Sequence, residues 1–227
     1  MTRLIVTVEG QSEEAFVNAV LRPHLLAFGV YASATIVGKL IAHERGHRGR
    51  GGGHFRHWRR DIERILKGDP SAGLKVSTLF DLSGLPSDFP GLVEHRDDAN
   101  TERRCDALQE ALGGVFDDRR LIPYIQRHEF EALVLAALPA LRGLLDAPDD
   151  LAGLASLERQ IAGHSPEDIN DGTETAPSKR LIKNVPGYSK TLHGPQATAD
   201  AGLTALRGSC PRFHAWVRQL EALGANP

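Results

Sequence analysis

The 227-residue sequence has little cysteine, no long apolar run and no marked excess of either charge. Its two cysteines, Cys105 and Cys210, are too few for a disulfide framework or a cysteine-built zinc site. They read as reduced thiols of a cytosolic protein. No apolar stretch approaches the roughly 20 residues needed to span a bilayer. The richest stretch, 132–145, is interrupted by Pro139 and Arg142, so no membrane partner is expected. The N-terminus enters a strand-like segment with only Arg3 as a basic flank, so no signal peptide is expected and the expected location is the cytoplasm. Neither a phosphate-loop pattern nor a dinucleotide-binding glycine fingerprint stands at a strand-to-helix junction, so any ATP hydrolysis has to come from a partner. The net charge of −2, with histidine neutral, gives no global sign of nucleic acid; any such sign must be local.

A hydrophobic content of 41% and a charged content of 25% are those of an ordinary globular protein. The length suits one α/β domain with an extension. Strands are expected over Arg3–Val8, Tyr31–Val37, Leu74–Phe80 and Leu121–Ile125. Helical spacing is read over Glu13–Phe28, with Pro23 as a kink or restart, and over Phe55–Lys67 up to Gly68. It is read again over Asn100–Leu112, closed by Gly113-Gly114, and in an apolar helix running to about Leu138. This alternation predicts a parallel sheet covered by helices. Ile41–Gly53 and His164–Gly194 read as polar loops. Leu141–Gly163, Ala197–Leu206 and Phe213–Leu223 read as helices, so the chain divides into a core over 1–140 and a helical and loop extension over 141–227 packed on it.

Two strands end abruptly on acid. Leu4-Ile5-Val6-Thr7-Val8 runs into Glu9-Gly10, with Glu13 four residues after Glu9. Lys75-Val76-Ser77-Thr78-Leu79-Phe80 runs into Asp81. In open α/β sheets, ligands sit outside the carboxyl ends of the strands. Hard cations take oxygen ligands, commonly one or two carboxylates with water and substrate phosphates. Several converging carboxylates can therefore hold one or two ions for phosphoryl transfer. Glu13 and Glu14 also suit a first helical turn, with Ser12 as its N-cap. That reading suffices for Glu14, whereas an acid closing an apolar strand, as at Glu9, is poorly explained as decoration. Of the pair in His128-Glu129-Phe130-Glu131, Glu129 is the favoured ligand; an extended segment would put both glutamates on one face, and a helix start would separate them.

The order Val8-Glu9-Gly10-Gln11-Ser12-Glu13, then Leu79-Phe80-Asp81, resembles the TOPRIM domain shared by topoisomerases, primases, OLD-type nucleases and recombination-repair proteins. With Leu85-Pro86-Ser87-Asp88-Phe89-Pro90 and Pro123 to Glu131 included, the chain is similar to an uncharacterised group of bacterial TOPRIM-like proteins encoded beside ABC-type or AAA-type ATPases and linked to phage defence. The likeness extends through Lys179-Arg180 and Lys190-Thr191-Leu192-His193-Gly194. It implies a TOPRIM-like α/β fold, a central parallel four-stranded sheet flanked by helices with a mainly helical C-terminal extension. It implies Mg²⁺ (or Mn²⁺), with Glu9 as acid/base or metal ligand and Glu13 and Asp81 as ligands. Ser83 stands where TOPRIM enzymes carry a second aspartate, so a second metal would need Glu129, Asp88 or substrate oxygens.

A basic, glycine-rich segment spans His43–Arg60 and includes Arg45, Arg48, Arg50, Arg56 and Trp58. It reads either as a loop closing over a nucleic-acid backbone, whose affinity comes from Lys and Arg, or as a solvated loop leading into a helix. A zinc site from His43, His47, His54 and His57 fits by spacing only. Lys179, Arg180, Lys183 and Lys190 form a second basic stretch. Lys179 or Lys190 could neutralise charge on a transferring phosphate, with Lys190 taken as the catalytic candidate and Lys179 and Arg180 as nucleic-acid contacts. Three functions follow: a Mg²⁺-dependent nuclease acting on DNA or RNA with an ATPase partner, a degenerate module that only binds such an ATPase, or a phosphoryl-transfer enzyme acting on small phosphorylated substrates. Homo-oligomerisation is compatible with each.

Overall fold

The computed structural model describes residues 2–42, 48–170 and 172–225. Its central sheet is all parallel. Strands β1 (Thr2–Val8) and β2 (Val30–Ile36) are joined by a helix: α1 (Gln11–Phe16) continues through a π turn (Val17–Leu21) into α2 (Arg22–Leu26). Pro23 has no N–H to give to the preceding turn, and the π turn takes up the mismatch without ending the helix. The helix N-cap is Gly10, not Ser12, whose hydroxyl instead donates to the Lys190 carbonyl at 3.3 Å.

Of the expected loop over Ile41–Gly53, residues 41–42 and 48–51 are strand. Strand β3 (Lys39–Ala42) pairs antiparallel with β4 (Arg48–Gly51), a hairpin springing from the carboxyl end of β2. Gly38 makes the close approach possible: at φ 125°, a Cβ there would lie 2.7 Å from the Gly52 carbonyl. Helix α3 (Phe55–Gly68) follows, anchored by Trp58, whose indole N–H donates to that same carbonyl at 3.1 Å.

Strand β5 (Leu74–Asp81) lies between β1 on one side and β6 (Leu121–Ile122) and β7 (Ile125–Gln126) on the other, the last two replacing one expected strand. Covered on both faces, it reads as a nearly continuous apolar run. Helix α4 (Thr101–Phe116) does not stop at Gly113-Gly114. Asn100 caps its start by accepting the Arg103 N–H at 3.0 Å, and it ends only at Asp117, which adopts φ 45°. Two helical glycines cost about 1 kcal/mol each, less than burial of Leu108 and Leu112 returns.

After β7 come α5 (Glu131–Ala136), α6 (Leu138–Arg142), α7 (Pro148–Ile161), α8 (Pro177–Asn184), α9 (Lys190–Ser209, broken at Gly202, φ 74°) and α10 (Pro211–Ala222). The expected 164–194 loop thus contains a helix, α8, and the start of another. Two apolar layers sandwich the sheet. One joins Leu4, Val6 and Val8 to Phe16, Phe130, Leu133 and Trp216; the other joins Val76 and Phe80 to Trp58, Ile62 and Leu108. Trp216 ties α10 to the sheet, stacking on Tyr124 with ring centroids 4.4 Å apart and donating to Ser77 Oγ at 2.9 Å. Cys105 and Cys210 are buried free thiols. Among the described residues no helix is long and apolar enough to cross a membrane.

Candidate metal centre at the strand ends

Register sets the site. Val8 pairs with Leu79, so the chain leaves β1 at Glu9 level with the last residues of β5. There Glu9 Oε1 accepts the Asp81 backbone N–H at 2.7 Å. Its other oxygen is wedged against Gly84 in the short turn Leu82–Gly84; a Cβ on Gly84 would stand 2.5 Å from Oε2. A side chain at this position would make the carboxylate shift. Glu13, on the first turn of α1, is buried and turns back over Gly10.

Glu131 is buried as well, and it accepts an ion pair from Lys190 Nζ at 3.2 Å. Lys190 opens α9, so the extension reaches into the acidic cluster. Among the described residues the cluster holds four acids, Glu9, Glu13, Asp81 and Glu131, beside this lysine. The consequence is electrostatic. Burial, opposed by the Asp81 N–H and reinforced by Glu13, pushes Glu9 up to about 8. Burial and the negative charges of Glu9, Glu13 and Glu131 hold Asp81 well above the usual carboxylate range. Glu13 and Glu131 are raised too, chiefly by burial, with Lys190 partly offsetting both. Asp81 Oδ1 is buried with no hydrogen-bond partner. Raised carboxylates at a strand-end crevice mark sites where charge is awaited from outside.

Glu129 lies at the edge of this cluster, its charge bearing on Glu131. It accepts the Ser178 N–H at 2.9 Å and the Ser83 hydroxyl at 3.4 Å. Glu131, rather than Glu129, is the acid whose charge bears on Asp81 and Glu13. The separation arises because His128 takes a left-handed conformation, φ 68°, and Glu131 begins α5, so the two glutamates no longer share a face. Ser83 Oγ also lies 2.9 Å from the His128 carbonyl, so its hydroxyl is engaged inside the protein. His128 is buried, and burial followed by the Arg127 charge lowers its imidazole to about 4, leaving it neutral.

The basic residues are scattered. Arg45, His43 and His47 lie outside the described residues; Arg48 and Arg50 fall on β4, with their side chains outside the description as well. Arg56 is exposed on α3. His54 faces Asp88 at 3.6 Å. Lys179 and Arg180 lie on α8, where Lys179 borders a cleft shared with Glu129, and Arg180 donates to the Thr175 carbonyl at 2.8 Å and borders a different cleft.

Among the described residues no three His, Cys, Asp or Glu side chains stand ready-made as a metal cage. The donor set nonetheless fits a hard divalent cation: all oxygen, excess negative charge and one buried oxygen without a donor. Such an ion needs only one or two protein carboxylates, the rest coming from water and substrate.

Fold and site together define an open α/β protein with a parallel sheet, a helical extension and an acidic strand-end centre. The chain belongs to the DUF4276 family, a domain of unknown function, which matches residues 8–221. No curated protein matches it. Among solved structures, the C-terminal region of the Burkholderia pseudomallei OLD protein aligns with 98% of this chain and 100% of its own, at 16% identity and a TM-score of 0.47. The C-terminal region of the Xanthomonas campestris pv. campestris OLD protein aligns with 99% of this chain and 97% of its own, at 16% identity and a TM-score of 0.44. At these values the likeness carries no activity over to this chain.

Proposed function

We propose that the protein is a divalent-metal-dependent nuclease, hydrolysing phosphodiesters of DNA or RNA. The observation that carries this is the cluster of four carboxylates, Glu13 and Glu131 buried and Glu9 and Asp81 half-buried, all held above their usual range beside Lys190, with Asp81 Oδ1 lacking any donor. Glu9, Glu13, Asp81 and Glu131 would hold Mg²⁺ or Mn²⁺. A bound cation supplies Lewis-acid charge and a water acidic enough to act near neutral pH. The proton that Glu9 holds near neutrality in the metal-free protein would leave on coordination, freeing the carboxylate as a ligand. Lys190, half-exposed beside Glu131, brings positive charge to a phosphoryl group at the mouth of the site. In this reading the catalytic core, 1–140, is completed by Lys190 from the extension, 141–227. Nucleic acid as substrate, an ATPase partner and a role in phage defence rest on the motif resemblance.

One observation favours a second reading. The Ser83 hydroxyl is committed to the His128 carbonyl and Glu129, so it offers little to a second ion. A module that binds metal and an ATPase without cutting would look the same. The two separate in one assay: plasmid and single-stranded RNA with Mg²⁺ or Mn²⁺, comparing wild type with Glu9→Gln and Lys190→Ala. Metal-dependent cleavage lost in both variants supports the nuclease; cleavage equal in all three samples contradicts it.

A further inference from the structure

Strand β2 is an outer strand of the sheet: β1 lies on one side of it, and among the described residues no strand pairs with the other. An unpaired edge is a template for further pairing, and proteins commonly blunt it with short strands, charge or proline. The opposite edge is blunted in this way, because β6 and β7 are two residues each. Strand β2 is not. It is seven residues long, and the segment Gly29–Gly38 contains no charge and no proline. The chain then turns away from the edge toward α3, where the Gly38 N–H donates to Asp61 at 3.2 Å. Beside the edge opens a groove of about 450 Å³, lined by Pro23 and Leu26 of α2 and Tyr31 and Ala32 of β2, with Asn18 and Arg22. Leu26, Phe28 and Tyr31 are 52%, 42% and 44% exposed, so this edge carries an uncovered apolar patch.

The ladder fixes which backbone groups face outward. The Val37 N–H donates to the Val8 carbonyl at 3.0 Å, so the odd-numbered residues of β2 turn their backbone groups toward β1. Val30, Ala32, Ala34 and Ile36 therefore turn theirs to the free edge. By size these four read the same in both directions: large, small, small, large. A second copy laid antiparallel, with a two-fold axis at Ser33, sets Val30 opposite Ile36 of the partner subunit and Ala32 opposite Ala34 of the partner subunit, and the reverse. Each of these pairs exchanges both backbone hydrogen bonds, so no outward group of the strand is left over. A shift of one residue would set bonded residues against non-bonded ones, and a shift of two would leave one end unpaired. The other face matches as well. Tyr31, Ser33 and Thr35 are exposed there; Tyr31 meets Thr35 of the partner subunit and Ser33 meets its own copy, all without charge.

We infer that β2 is a dimerisation edge, pairing antiparallel with β2 of a second copy of this chain about a two-fold axis at Ser33, so that one sheet runs through both subunits. Antiparallel pairing points the carboxyl ends of the two β1 strands, and the acidic centres upon them, in opposite directions. The two centres therefore work separately, and the dimer does not rest on the nuclease reading. Arg22 is the charged side chain lining the groove, and the two-fold axis brings both copies of it to one face. Association should accordingly tighten with added salt, which screens this repulsion.

Sedimentation equilibrium of the full chain in EDTA, at micromolar concentration, reads the assembly directly. Wild type should have twice the mass of one chain at the upper end of the range, as should Val93→Lys, a control at an exposed site elsewhere. The double variant Tyr31→Lys/Ser33→Lys should weaken association at least tenfold, because each change counts twice across the axis and like charges then stand opposite each other. Both side chains are exposed, so its circular dichroism should match wild type. Cross-linking tests the register. Facing residues of a non-hydrogen-bonded pair stand about 4.5 Å apart at Cα, within disulfide reach. Ser33→Cys should therefore link two copies in air with a copper catalyst, the two thiols giving two electrons and two protons to oxygen. Thr35→Cys should not link to itself, since this register sets its two copies about 13 Å apart. Wild type, whose cysteines are both buried, should not link. A monomeric wild type, or a dimer unaffected by the folded double variant, overturns the proposal and leaves the edge to a different partner. Linking by Thr35→Cys as readily as by Ser33→Cys overturns the axis at Ser33.

Discussion

Glu9→Gln gives the sharpest prediction about the acidic centre. The glutamine keeps the shape of a protonated carboxyl, and its Oε1 can still accept the Asp81 N–H. It differs from wild type only when Glu9 would be charged. Glu9 rises from 4.5 to about 8 on folding, so the native state holds a proton that the unfolded chain releases between those values. Its contribution is therefore fully present below about pH 4.5 and is lost as pH rises toward 8. At about 1.36 kcal/mol per pH unit, the cost at pH 8 has an upper bound of ~5 kcal/mol. Some water reaches a half-buried group, and relaxation lowers the cost further, to about 2–3 kcal/mol. With about 2–4 °C per kcal/mol for a chain of this size, Glu9→Gln should raise Tm by roughly 5–10 °C at pH 8.5. It should change Tm little at pH 5. Glu13, Asp81 and Glu131 also face the site, and their titration should remain in both proteins. Thermal unfolding followed by circular dichroism in EDTA reads this directly. An equal Tm difference at both pH values would refute the electrostatic account of the cluster.

Other perturbations separate site from scaffold. Lys190→Ala should cut metal-dependent cleavage by about 10²–10³ while moving stability by no more than ~1 kcal/mol, since the lysine is half-exposed; a large fall in Tm would instead make it a structural residue. Gly84→Ala sets a methyl 2.5 Å from Glu9 Oε2, so the carboxylate that accepts the Asp81 N–H must shift. It should cost about 1–3 kcal/mol and weaken Mn²⁺ binding, both measurable by calorimetry; unchanged metal affinity would exclude Glu9 as a ligand. Trp216→Ala removes the stack on Tyr124 and the bond to Ser77. It should cost about 3–5 kcal/mol in urea unfolding, and a cost below 1 kcal/mol would mean that α10 is not docked on the sheet as described.

The parts of the molecule with plain periodicity were legible in the sequence. Apolar runs ending on Glu9 and Asp81 indicated buried parallel strands and the crevice at their ends. The β3–β4 hairpin was not legible, because glycine and arginine carry no strand pattern and the pairing depends on the close approach at Gly38. Helix α8 was hidden between Pro177 and Pro186, yet Pro177 sits in its first turn, where a missing N–H costs nothing. Helix α4 ran past two glycines because the burial of its apolar face outweighs their propensity. The choice between Glu129 and Glu131 turned on where α5 begins, which the unusual backbone at His128 decides and composition does not reveal. Gly84 had a readable signal, a glycine three residues after a strand-end aspartate, but its partner Glu9 is 75 positions away in the chain.

Calorimetric titration of Mn²⁺ and Mg²⁺ into the wild-type protein and into the double variant Glu9→Gln/Asp81→Asn, at pH 7.5, tests the metal centre most directly. The account predicts saturable binding to wild type with proton release, because raised carboxylates must ionise to coordinate. It predicts no saturable binding to a double variant that remains folded. Equal binding by both proteins, or none by the wild type even with an oligonucleotide present, would contradict it.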